Sequence, residues 1–175
     1  MNIELPSNLA QRSERDFINT FGDLYEHSPW VAETALLQTK SKVEYNDLGL
    51  FHLLLSEILL NADNDIKQKL ILAHPVLTGK RSVKKDMTEF STGEQKSAGL
   101  DDCTDEEISM FEVLNQEYLM KFKFPFIMAI KEKNKEDIVN GFANRQNNSV
   151  EQEKQNAIAE INKIAWLRIK GIYGI

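Results

Sequence analysis

The sequence predicts an all-α protein, a single-domain irregular helical bundle over residues 1–175. Three observations predict it. Apolar residues recur at three- and four-residue intervals, the spacing that gathers them on one helix face. No segment sustains the apolar–polar alternation of a half-buried strand. The 8 Gly and 4 Pro are spread thinly, with no linker, low-complexity tract or internal repeat to divide the chain.

Each helix has its own signal. Phe17, Phe21, Leu24 and Tyr25 form the first stripe. Ser28-Pro29 then reads as a start signal for WVAETALL, with serine as N-cap and proline at the first helical position. Leu48, Phe51, Leu54, Leu55, Ile58 and Leu59 make a second strong stripe, and Ile66, Leu70 and Ile71 a shorter third. That third helix should end near Ala73, because Pro75 biases His74 away from the helical region. Ser91 and Glu94 have the spacing of a capping box, as do Thr104 and Glu107. The latter opens a helix carrying Ile108, Phe111, Leu114 and Tyr118, which KFKFPFIMAI (121–130) breaks at Pro125. Ile138, Val139 and Phe142 mark another helix. Ser149 with Gln152 caps the longest, whose one face carries Ala157, Ile158, Ile161, Ile164, Ala165 and Arg168.

Composition excludes several function classes. A net charge of −6 argues against a nucleic-acid or anionic-membrane partner, and KRSVKK (80–85) is a short basic run flanked by acids. One cysteine, Cys103, allows neither an internal disulfide nor a thiolate metal cluster. No apolar run approaches the roughly 20 residues that span a bilayer. The N-terminus lacks the regions of a signal peptide. These features predict a soluble cytoplasmic protein with no membrane or nucleic-acid partner. No zinc, nucleotide, dinucleotide or nucleophile-elbow motif occurs. An enzyme of this sequence would work by acid–base chemistry, with no metal and no cofactor.

Four places can carry such chemistry. His74 follows the apolar run KLILA, at a helix C-terminus that favours the imidazolium; it is a proton donor or an inert cap. His27 reads as a cap of the first helix and His52 as a boundary residue. Glu94 either closes a helix start or joins Ser91, Thr92 and Gln95 in a polar cluster at backbone N–H groups that suit an anion. Arg168 continues an apolar helix face, so it must snorkel, pair with a carboxylate or face a cavity, where its planar fork suits a carboxylate ligand. FKFPFIMAI is core, or Pro125 starts a helical turn whose N–H groups, from Phe126 to Ile130, hold a polar ligand. The residues alone do not show that these groups meet.

In order along the chain, FGDLYEHSPWVAETA (21–35), LAHPVLTGK (72–80), FSTGEQKSAGL (90–100), LNQEYLMKFKFPFIMAIK (114–131) and EINKIAWLRI (160–169) resemble one family. It is the decarboxylase of 2-oxo-4-hydroxy-4-carboxy-5-ureidoimidazoline (OHCU). The resemblance covers nearly the whole chain. HP-x-L-x-G-K, S-x-x-EQ-x-x-AGL and KF-x-FPF together are specific. It implies a cofactor-free and metal-free all-helical enzyme, commonly a homodimer, that releases CO2 from OHCU to leave (S)-allantoin in urate breakdown. It implies His74, Glu94 and Arg168 as catalytic residues. It implies Pro75, Ser91, Thr92, Gly93, Gln95, Phe126, Ile127, Met128, Ala129 and Ile130 as substrate-binding. The chain departs from the family's usual residues at Val76, where Asp is usual, and at Lys123, where Gly is usual. LLQTKSKV also stands where the family often has Arg-Pro-Phe. The alternative reading is a relative that binds a ureido or purine-derived metabolite without turnover or with another specificity.

Overall fold

The computed structural model describes residues 3–77 and 87–175. Thr78 to Lys80 of the LAHPVLTGK segment, and KRSVKK, lie outside the described residues. Among the described residues the chain is all-helical, with no strand. In order come α1 (Pro6–Arg12), α2 (Glu14–Phe21), α3 (Trp30–Ser41), α4 (Leu48–Asn61), α5 (Asn64–Ala73), α6 (Glu89–Ser97), α7 (Asp105–Phe122), α8 (Lys135–Arg145) and α9 (Val150–Tyr173). Two 3-10 turns, Gly22–Leu24 and Val43–Asn46, follow α2 and α3. The residues cluster into two compact units, 1–70 with 162–175, and 71–161.

In the first unit α3 packs on α1 and α4, and α1 on α2. Its centre is an aromatic trio. Phe21 lies 4.9 Å from Phe17 and 4.9 Å from Phe51, ring centre to ring centre. Such tilted and edge-on pairs add about 0.5–1.5 kcal/mol each beyond their burial. Helix α1 is too short to show a period. Its free N-terminal N–H groups are satisfied from far along the chain, because the Asn46 side-chain oxygen accepts from Ser7 at 2.9 Å and Asn8 at 3.3 Å. That cap is non-local, so no sequence window contains it.

The start signal at Ser28-Pro29 is displaced. Pro29 is already helical in its backbone, α3 begins at Trp30, and no side chain caps it. Ser28 takes part through its carbonyl, which accepts from Val31 N–H at 3.3 Å. His27 lies past the first helical stretch. Helix α2 ends at Phe21 and the 3-10 turn after it at Leu24, and His27 occupies a left-handed turn with φ of 46°.

In the second unit α7 packs on α8. The Thr104–Glu107 box is complete in both directions, and Ser149 and Gln152 exchange the same pair of bonds. Helix α7 stops before Pro125, at Lys123, which turns left-handed with φ of 65° while its N–H donates to Leu119 O. Tyr118, Phe122, Phe124, Phe126 and Phe142 fill the core around that exit.

Candidate active site

Helix α5 ends at Ala73, as the proline requires. His74 is the next residue, 7% exposed, and its N–H donates to Ile71 O. The chain from His74 to Leu77 has no regular structure, so side chains must hold it. Two amides do. Gln95 Nε2 donates to Val76 O at 3.1 Å, and Asn115 Nδ2 donates to Leu77 O at 2.7 Å and Phe111 O at 2.8 Å. The segment carrying the imidazole is thereby braced against α6 and α7. Gln95, expected to touch substrate, spends an amide proton on this brace. Asn115 was missed, though a signal existed. It is a polar residue on the apolar face that carries Phe111 and Tyr118, where a buried amide needs partners.

Helix α6 begins earlier than the Ser91–Glu94 spacing suggests. Thr88 is the cap. Its backbone is extended and its hydroxyl oxygen accepts from Ser91 N–H at 3.3 Å. Ser91 and Glu94 therefore sit inside the helix, and the capping-box reading of Glu94 falls. The N–H groups of a helix start are then those near Glu89, not those of residues 91–95. Ser91 and Gln95 are buried, Thr92 and Glu94 half-buried, and Gly93 exposed. A side-chain carbon added at Gly93 would meet nothing within 4 Å.

Phe126 to Ile130 form no helical turn. They run as an irregular segment whose backbone is held by charged side chains. Arg145 Nη1 donates to Ile127 O at 2.6 Å, and the Ala129 N–H donates to the Glu160 carboxylate at 2.8 Å. The Ala129 N–H is thus already spent. Among the described residues, those of Ile127 and Met128 donate to no protein acceptor.

Arg168 belongs to the first unit. Of the three readings open to it, the structure has the ion pair. Nη2 lies 3.1 Å from Glu26 Oε2, with side chains 1% and 0% exposed, and Nη1 donates to the carbonyls of Asp23 at 3.1 Å and Leu24 at 3.4 Å. Glu26 was not singled out in the sequence. In YEHSP it looks like any polar residue of a turn. In the same unit His52 Nε2 lies 2.8 Å from Asn162 O and its ring 5.3 Å from that of Trp166. Burial pushes its pKa below the usual histidine value, against that hydrogen bond.

The second unit holds another arginine–glutamate pair, with the glutamate fully buried, that sequence reasoning missed. Arg145 Nη2 lies 2.8 Å from Glu153 Oε2. Glu153 also accepts from Asn148 at 2.7 Å, Asn156 at 2.8 Å and the Tyr118 hydroxyl. Burial alone would raise the Glu153 carboxyl; the bonds from Arg145, Tyr118, Asn148 and Asn156 outweigh it and hold the group below the usual carboxylate range. No helix among the described residues is long and apolar enough to cross a membrane. No three His, Cys, Asp or Glu among them cluster as a metal site.

Residues 10–170 match the family model described as OHCU decarboxylase. A 2-oxo-4-hydroxy-4-carboxy-5-ureidoimidazoline decarboxylase of Haloferax volcanii is 34% identical over 95% of this chain and 95% of its own. The uric acid degradation bifunctional protein of Bacillus sp. (strain TB-90) is 35% identical over 94% of this chain, which spans only 31% of that protein. The crystal structure of an (S)-allantoin synthase is similar with a TM-score of 0.74 and 25% identity, over 94% of this chain and 52% of that one.

Proposed function

The chain belongs to the OHCU decarboxylase family, and on that footing we propose that it releases CO2 from OHCU to leave (S)-allantoin in urate degradation. It is a carboxy-lyase. The carrying observation, beside the family match, lies in the second unit. A buried histidine directly follows α5, and the backbone after it is tied by Gln95 to α6, the helix that carries Glu94.

OHCU bears its carboxylate on a carbon that also carries a hydroxyl and adjoins a ring C=N. When the bond to CO2 breaks, its electron pair flows into that C=N and the ring nitrogen takes a proton. The resulting enol loses its hydroxyl proton and gains one on the ureido-bearing carbon. One proton is consumed per carboxylate released. Delivery to one face sets the handedness. His74 is the donor or the hydroxyl's partner, and a helix C-terminus suits the charge a donor must carry. Glu94 orients the substrate N–H groups. Arg168, its guanidinium fixed by Glu26 and two carbonyls, stabilises developing negative charge by donors already in place. Pro75, Ser91, Thr92, Gly93 and the segment from Phe126 to Ile130 form the walls that hold the substrate.

The test generates OHCU in situ from urate with uricase and the ring-opening hydrolase, and follows circular dichroism. The protein should produce a rapid (S)-allantoin signal, and His74→Ala should slow it by about 10²–10⁴-fold. Racemic allantoin at an unchanged rate would overturn the reading. We also assign the protein to the cytoplasm, supported by its single cysteine and acidic balance, and propose a homodimer. Leu50, Leu53 and Leu60 support the dimer, because they leave an apolar strip exposed on α4. A monomer in sedimentation would remove it.

A further inference from the structure

We propose that Arg145, Glu160 and Gly141 are positioning residues that aim the backbone of Met128 at an amide or urea edge of the substrate. The inference rests on the reading that residues 126–130 hold OHCU.

The segment has no helix or ladder bonds of its own, so its peptide planes keep one orientation only where other groups fix them. Two planes are fixed, on either side of Met128. Arg145 draws the Ile127 carbonyl towards itself at 2.6 Å. A trans peptide is planar with its C=O and N–H opposed, so the Met128 N–H of that unit points away from Arg145. Glu160 draws the Ala129 N–H at 2.8 Å. By the same rule the Met128 carbonyl points away from Glu160. Among the described residues neither the N–H nor the carbonyl of Met128 has a protein partner. The two charged anchors therefore leave one residue with a donor and an acceptor on offer. A ligand edge with both a carbonyl and an N–H answers that pair, and the ureido and ring amide groups of OHCU carry such edges.

The Arg145 anchor is itself immobilised. Glu153, fully buried, pins the Arg145 guanidinium through Nε and Nη2, and the guanidinium lies 4.5 Å from the centre of the Phe126 ring. That ring stacks on Phe142 at 3.9 Å. Gly141 supplies the space. A side-chain carbon there would stand 2.9 Å from Met128 Sδ, so that thioether must move, and 3.2 Å from Phe126 Cζ, which must give slightly. Arg145 and Glu160 act through the backbone and need not touch substrate.

The experiment measures kcat and KM for wild type, Glu160→Ala, Glu160→Gln and Gly141→Ala, each checked for native far-UV circular dichroism. Glu160→Ala should raise KM about tenfold, and Gly141→Ala by a smaller factor because the Met128 thioether can yield, both changing kcat less than about threefold, the pattern of lost substrate positioning. Glu160→Gln keeps an acceptor for the Ala129 N–H and should restore KM. An unchanged KM in folded Glu160→Ala overturns the inference and leaves the decarboxylase reading standing. So does a Glu160→Gln variant no better than Glu160→Ala. If Gly141→Ala does not fold, the two Glu160 variants decide alone. Wild-type protein that does not accelerate OHCU loss overturns the decarboxylase reading, and the inference with it.

Discussion

Among the described residues each unit pairs a fully buried glutamate with an arginine, and the two pairs are built differently. Arg168 and Glu26 join the C-terminal part of α9 to the turn that precedes α3, and Arg168 also donates to the main-chain carbonyls of Asp23 and Leu24. Arg145 and Glu153 join the last turn of α8 to the first turns of α9, and Glu153 gathers two amides and a hydroxyl besides. The first pair fixes a guanidinium. The second fixes a guanidinium that in turn fixes a loop, through Ile127 O. A buried charge gains little net stability from its partner, but it cannot be left without one. What each pair secures is orientation: of Arg168 itself in one unit, and of the segment proposed to hold substrate in the other.

The largest effect should come from breaking the more deeply buried pair. With both side chains essentially unexposed, Glu26→Ala takes the Glu26 carboxylate away from a buried guanidinium. It should cost about 3–5 kcal/mol of stability in urea unfolding. Glu26→Gln keeps an acceptor for Nη2 and should cost less while still slowing turnover, since Arg168 would be held but no longer neutralised. A Glu26→Ala protein as stable and active as wild type would show that the pair orients nothing.

The second pair should respond to pH. Glu153 has its folded pKa held below its ordinary 4.5. A depressed carboxyl binds fewer protons folded than unfolded, so its contribution is complete above that value and is lost as pH falls through the folded pKa. Glu153→Gln removes this linkage along with the charge. At pH 7 the variant should be less stable by about 1.5–3 kcal/mol, the worth of a hydrogen bond to a charged group. The gap between the two proteins should narrow as pH drops from 5 to about 3. A gap that stays constant through that range would mean that the carboxylate charge is not what Arg145 and its neighbours stabilise.

The two pairs also show what a sequence exposes. Arg168 was legible because it interrupts an apolar face already set by Ile161 and Ile164. Arg145 was not, because a basic residue in the last turn of a helix is expected from the helix dipole alone. Its partner lies within the first turns of α9, where acids are expected for the same reason. The helices, their periodic faces, the stop at Ala73 and two of the capping boxes follow from local patterns, and the structure has them. The start of α6 does not, since two overlapping cap spacings, Thr88 with Ser91 and Ser91 with Glu94, compete there and backbone conformation at Thr88 decides. Helix α1 escapes because its cap comes from Asn46. The likeness to a family supplied His74, Glu94 and the loop from Phe126 to Ile130 as a set. It did not supply Asn115, Glu26, Arg145 or Glu160, which hold the backbone or orient those groups and which only packing reveals.

The smallest effect separates the loop's entry from its anchors. Lys123, where the family usually has glycine, is the left-handed residue that ends α7, with φ of 65° and its side chain exposed. A side chain in that region crowds the following carbonyl, and glycine does not. Lys123→Gly should therefore stabilise the protein by about 1 kcal/mol, less whatever the freer unfolded chain takes back. KM should stay as in wild type, because the orientation of residues 127–129 is set by Arg145 and Glu160 and not by how the chain leaves α7. A rise in KM with intact stability would place control of the segment at its entry, and would make the second arginine–glutamate pair a matter of folding alone.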